Sequence, residues 1–131
     1  MAELKLEIVT PSRKLAEATC REVYMPGVRG EFGVLPDHAP LVSTLTPGIV
    51  RYQEGEHARK LAVRSGFVQV LADRVVLLAD EAVLPGEGKT ANLTARRKEI
   101  ETGMVSADID PEGREKLALE LAWIDAQMAI A

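Results

Sequence analysis

"VVLLADEAVLPGEGKTANLTARRKEIETG", residues 75–103, contains the point where the chain changes character. Residues 75–79 are five apolar side chains in a row. Such a run predicts a strand covered on both faces. Beyond Pro85 the composition shifts to Ala, Leu, Glu, Lys and Arg, and residues 93–102 predict a helix capped by Asn92. Gly103 stands where a helix-ending glycine is expected. Between the two patterns, Gly86-Glu87-Gly88-Lys89-Thr90 superficially echoes a phosphate-binding loop. It lacks the four-residue insert that such a loop needs, and a flexible hinge is the better reading.

Outward from this junction the two blocks stay separate. Downstream, Asp110-Pro111 pairs an N-cap with a proline at the first helical position, predicting a second helix over 111–128. Leu117, Leu121, Ile124 and Met128 form one stripe on it, and Leu119, Trp123 and Ile130 lie on another side. The first helix has few apolar residues to cover both. That surplus predicts a partner, or a hairpin able to leave its dock. Upstream, residues 4–9 alternate Leu4, Leu6 and Ile8 against Lys5 and Glu7, a half-buried strand. Residues 16–25 read as one extended stretch, followed by strands at 41–45 and 49–52 on either side of a Thr46-Pro47-Gly48 turn. Residues 53–56 form a polar loop extending to Lys60, with His57 solvated, and further strands cover 60–64, 67–72 and 75–79. Short strands at a spacing of about 8–12 residues predict a sandwich or barrel. The expected fold is α+β arranged in sequence: an N-terminal all-β sandwich over residues 1–85, then a C-terminal two-helix antiparallel hairpin over 86–131.

Charge and composition narrow the function classes. A net charge of −4 with no basic stripe argues against nucleic acid as a partner. One cysteine, Cys20, permits no internal disulfide and no cysteine-based metal site. The opening MAELKLEIVT predicts no secretory signal, and no apolar run predicts membrane insertion. His38 and His57 lack metal-ligand spacing, and Ser43 and Ser65 lack a nucleophile-elbow context. No catalytic residue, cofactor or metal site is expected. Arg96, Arg97 and Lys98 form a short basic run, either a solvated face or a clamp on an acidic partner.

The informative stretch is "GEFGVLPDHAPLVSTLTPG", residues 30–48. Gly30 and Gly33 bracket Glu31-Phe32, as if a tight turn presented both side chains outward. Pro36, Pro40 and Pro47 stiffen the flanks, and the whole reads as a rigid loop displaying Glu31, Phe32 and His38.

With "RSGFVQV" and "VVLLADEAV" downstream, this segment closely resembles the epsilon subunit of bacterial F-type ATP synthases. The family's G-E-x-G-x-x-P-x-H-A-P-L pattern, followed by a P-G turn, is matched at Gly30, Glu31, Gly33, Pro36, His38, Ala39, Pro40, Leu41, Pro47 and Gly48. The resemblance is strong over residues 3–84 and architectural beyond. It implies a non-catalytic subunit of the central rotor stalk, peripheral to the cytoplasmic face of the bacterial inner membrane. It implies that the sandwich binds the gamma subunit and rests on the c-subunit ring, through Glu31, Phe32, Gly33 and His38. It also implies that the C-terminal helices reach gamma and the alpha/beta head and restrain ATP hydrolysis, with Arg96, Arg97, Leu121, Trp123 and Met128 as the candidate contacts. Some members bind ATP in the hairpin through an Ile/Leu-Asp-x-x-Arg-Ala motif. Here Lys89 and Asn92 occupy its Asp and Arg positions, so no such binding is expected. A different class, a free-standing β-sandwich that binds a small ligand, is the alternative.

Overall fold

The computed structural model describes residues 3–87 and 90–130. Strands fill the first block: β1 (Leu4–Val9), β2 (Lys14–Cys20), β3 (Val23–Gly27), β4 (Gly30–Val34), β5 (Leu41–Leu45), β6 (Gly48–Glu54), β7 (His57–Val63), β8 (Gly66–Val70), β9 (Arg74–Ala79) and β10 (Ala82–Val83). Two helices follow, α1 (Thr90–Met104) and α2 (Pro111–Ala129). The strands lie in the order β10-β7-β6-β3-β5-β8-β9-β1-β2, with β4 added to β3. This single path folds over at β3. Its first residues pair with β6 and its last, Gly27, with Leu45 of β5. One layer is therefore β10-β7-β6-β3-β4 and the other β5-β8-β9-β1-β2, a β-sandwich with a strand that changes layers at its corner.

The core between the layers is aliphatic. Leu4, Leu6 and Ile8 of β1 meet Val68, Val70, Val75 and Leu77 of their own layer, and Val23, Met25, Val34, Val50, Leu61 and Val63 of the other, all buried. At about 1.5–3 kcal/mol for each large apolar side chain withdrawn from water, this cluster is the main source of the sandwich's stability.

Several local expectations are corrected. Residues 16–25 are two strands, because the chain breaks at Arg21-Glu22: β2 pairs with β1, and β3 with β4 and β6. The Thr46-Pro47-Gly48 turn closes no hairpin. It carries the chain between layers while Thr46 N–H donates to the Pro26 carbonyl at 3.0 Å. His57 opens β7, pairing with Glu54, and so is not a loop residue, although it is exposed. The strand covered on both faces is β7, not β9. Leu61 and Val63 face the core, Ala62 lies under α2, and all three are fully buried. In β9, Leu78 is 53% exposed.

Helix α2 starts where its cap predicts, with Asp110 Oδ1 accepting from Gly113 N–H at 2.7 Å. Helix α1 begins at Thr90, two residues before the expected cap Asn92, and runs through Gly103 to Met104. Gly103 serves packing rather than termination: a Cβ there would sit 3.1 Å from Leu117 Cδ1 of α2. The apolar surplus of α2 is largely absorbed by the sandwich. Trp123, Ala126 and Ile130 pack on Ala62, flanked by Ile49 and Val83, while Leu119 stays exposed.

The described part of the expected hinge is held. Arg13, in the β1–β2 turn, donates to both carboxylate oxygens of Glu87, at 2.8 and 2.7 Å, and Leu84 N–H donates to the same carboxylate at 2.6 Å. The Arg13 hydrogen bonds, with that of Leu84, pull the Glu87 carboxyl down to about 2. Gly88 and Lys89 lie outside the described residues, and Thr90, expected as the hinge's last residue, already belongs to α1.

Candidate interaction surfaces

The family-like segment is half strand. Gly30, Glu31, Phe32, Gly33 and Val34 pair antiparallel with Gly27, Pro26, Met25, Tyr24 and Val23. A strand alternates its side chains, so Glu31 points outward while Phe32 turns toward the core cluster and Val34 is buried. The expectation that one turn displays both Glu31 and Phe32 is corrected by this alternation. The displayed unit is the β3–β4 hairpin. Its tip, Val28-Arg29, is exposed, with Val28 at 68%.

His38 is not beside Glu31. It lies beyond the far end of β4, roughly 10 Å of strand away. There Asp37, at φ 64°, donates its N–H to the Ala72 carbonyl at 2.8 Å, fixing the 35–40 turn to the β8–β9 turn. The half-buried His38 ring makes a 2.7 Å hydrogen bond from Nδ1–H to the Ala39 carbonyl.

Glu31 has a partner inside the chain. Arg51 of β6 donates to its carboxylate through Nη2 at 2.7 Å and Nε at 3.4 Å. The Arg51 guanidinium also lies over the Tyr24 ring, 4.9 Å from its centroid. The Glu31 hydrogen bonds push the Arg51 pKa above its usual value, so this side chain is always a cation. The Tyr24 hydroxyl donates to Glu22 at 3.1 Å. Neither Arg51 nor Tyr24 stood out in the sequence.

A second surface was also missed. The outer face of β5, β8, β9 and β1 carries Val42, Phe67 and Leu78 at 70%, 56% and 53% exposure. Phe67 pairs with Leu78, and Leu78 with Val9, so three apolar side chains stand side by side across the layer. Val76, next to Gln69, extends the row below. On the opposite outer face α2 covers Ile49, Ala62 and Val83, whereas this face has no cover within the described chain. The signal was present: residues 75–79 are apolar in both phases, and the outward phase finds no cover among the described residues.

The tail candidates sit in the hairpin's own seams. Arg96 grips Glu120 through two hydrogen bonds of 2.7 and 2.9 Å and reaches Glu99 at 2.9 Å. Arg97 Nε approaches Asp125 at 2.9 Å, a contact of charge without hydrogen-bond alignment. Trp123 is 7% exposed against the sandwich, and Leu121 and Met128 are half-buried. Cys20 is buried, and burial pushes its thiol up to about 11, which leaves it unreactive.

Among the described residues, no group of His, Cys, Asp and Glu could hold a metal ion, and no helix is long and apolar enough to cross a membrane. The most aromatic concavity, of about 300 Å³, is an open groove lined by Tyr24, Tyr52, Arg51 and Arg59.

The fold is a sandwich with α2 packed on part of one outer face, exposed apolar side chains on the other and a charged β3–β4 hairpin at its edge. The family described as "ATP synthase, Delta/Epsilon chain, beta-sandwich domain" matches residues 3–85. An ATP synthase epsilon chain of Syntrophobacter fumaroxidans is 38% identical over 132 residues, covering 100% of this chain and 94% of the relative. One of Magnetococcus marinus is 38% identical over 124 residues, covering 95% and 90%. The fold recurs in the Euglena gracilis mitochondrial ATP synthase structure containing OSCP, F1 and the c-ring. That likeness has a TM-score of 0.83 at 23% identity, over 98% of this chain and 81% of that one. The chain belongs to the ATP synthase epsilon-chain family, whose members are non-catalytic subunits of the complex.

Proposed function

We propose that this chain is a rotor subunit in the central stalk of a proton-translocating F-type ATP synthase, peripheral to the cytoplasmic face of a bacterial inner membrane. The bare apolar face docks the gamma subunit. The β3–β4 edge, with Glu31 outward, Phe32 packed behind it and Gly33 beside it, rests on the c-subunit ring, and His38 contributes from the far end of β4. The helical hairpin is the regulatory part. Undocked, it would carry Arg96, Arg97, Leu121, Trp123 and Met128 to gamma and the alpha/beta head and restrain hydrolysis, without a bound nucleotide.

The observation that carries this reading is the outward row of Phe67, Leu78 and Val9, with Val42 exposed on the same face. An apolar face of this kind is unfavourable in water unless a partner covers it. A small-ligand module would instead need an enclosed pocket, and the grooves here are open.

Phe67→Glu tests the proposal, since the side chain points to solvent and the fold does not need it. The variant should retain the wild-type circular dichroism spectrum. Its co-purification with gamma should fall at least tenfold, because a charge placed at the centre of an apolar interface costs more than about 1.4 kcal/mol. Undiminished capture of gamma would contradict the docking assignment.

A further inference from the structure

Four strands contribute one row to the outer face beside the hairpin: Gly33 of β4, Tyr24 of β3, Arg51 of β6 and Lys60 of β7, each paired with the next. Gly33 is a strand residue, and its role here is to leave space. A Cβ at this position would lie 2.7 Å from Tyr24 Cε1, so the missing side chain admits the ring. The ring, tethered at its hydroxyl to Glu22, is the platform on which the Arg51 guanidinium lies. From that platform Arg51 reaches diagonally to both oxygens of Glu31.

Arg51 and Glu31 are each about half exposed, at 52% and 49% of their side chains. Ion pairs this exposed contribute little to folding stability. Their consequence is geometric. A glutamate on a strand edge otherwise samples several rotamers, and a two-point contact from a stacked, planar guanidinium selects one. A carboxylate has about four acceptor positions, so the pinned group keeps free lone pairs for a partner.

We infer that Arg51 is a positioning residue for the ring contact: stacked on Tyr24 in the space left by Gly33, it holds the Glu31 carboxylate in the orientation the ring engages. This rests on the reading of the Glu31 edge as ring-facing. Arg51 then acts only through Glu31, and its loss has no further effect once Glu31 is neutralised.

The test is an ATP synthase rebuilt with subunit variants, read as proton pumping per ATP hydrolysed, with thermal unfolding of each purified subunit alongside. Glu31→Gln and Arg51→Met should each lower the pumping ratio several-fold, with thermal midpoints close to wild type. Arg51→Lys, which keeps the charge but loses the planar two-point grip, should fall between. Tyr24→Leu, which removes the platform and keeps Arg51, should also lower the ratio. The double variant Glu31→Gln/Arg51→Met should be no worse than Glu31→Gln alone. If Glu31→Gln lowers the ratio and Arg51→Met does not, the positioning role is overturned while the ring contact stands. An equal further loss from Arg51→Met in the Glu31→Gln background also overturns it, because Arg51 would then act independently. If Glu31→Gln has no effect, the ring-facing reading of this edge falls, and the inference with it.

Discussion

Gly66→Ala should strongly destabilise the sandwich. Gly66 opens β8 at φ +152° and pairs with Ala79 of β9. A Cβ there would sit 2.1 Å from the Leu78 carbonyl oxygen and 2.9 Å from Ala79 Cα. Both are backbone atoms of a paired strand, so no side-chain rotation relieves the clash. The backbone conformation is also one that residues with a Cβ rarely adopt. The β8–β9 ladder has to open at this end, next to the buried Val68 and Leu77. The expected loss is on the order of 3 kcal/mol or more, which for a domain of this size lowers the thermal midpoint by roughly 10–20 °C. Calorimetry of the purified variant checks it. A midpoint within about 3 °C of wild type would show that the strand pair can shift to accept a methyl group.

Trp123→Ala should separate the hairpin from the sandwich. Trp123 is the largest side chain at the α2 dock, where it packs with Ala126 and Ile130 over Ala62, Ile49 and Val83. Truncating a buried tryptophan costs about 3–5 kcal/mol. The other buried docking residues, Ala126 and Ile130, are too few to hold the helix once it goes. Backbone amides of α2 should then exchange with solvent orders of magnitude faster, while those of β1, β8 and β9 keep wild-type protection. Unchanged protection in α2 would mean that Ala126 and Ile130 hold the dock without the tryptophan.

What the sequence discloses about this molecule depends on the range of the signal. β1 and α2 were legible because their signals are local: apolar alternation over six residues in one, an Asp-Pro cap and an apolar stripe in the other. β4 was hidden because Gly30, Gly33 and Pro36 read as turn residues. The strand character of Gly30 and Gly33 comes from pairing with β3, which no short window shows, while Pro36 does lie in a turn. The parallel pairing of β1 with β9, some seventy residues downstream, is equally invisible. The apolar run in β9 misled, because only Val75, Leu77 and Ala79 face the core. The other phase, Val76 and Leu78, faces outward and is left uncovered by the described residues, with Leu78 exposed.

The candidate site was legible to a similar extent. Glu31 stands inside a recognisable pattern. Arg51 and Tyr24 come from other strands and meet it only through register, so they carry no local signal. Arg96 and Arg97 looked like a free basic run. They are engaged because α2 presents Glu120 and Asp125 across the hairpin, a pairing fixed by helix packing.

The central claim is that the sandwich presents two different surfaces to two different partners. Site-specific photo-crosslinking in the assembled complex tests it most directly, with a photoreactive phenylalanine analogue placed at position 67 in one preparation and at position 31 in another. The account predicts a product with gamma from position 67 and a product with the c subunit from position 31. Position 67 joined to the c subunit, or to alpha and beta with no gamma product, would contradict it.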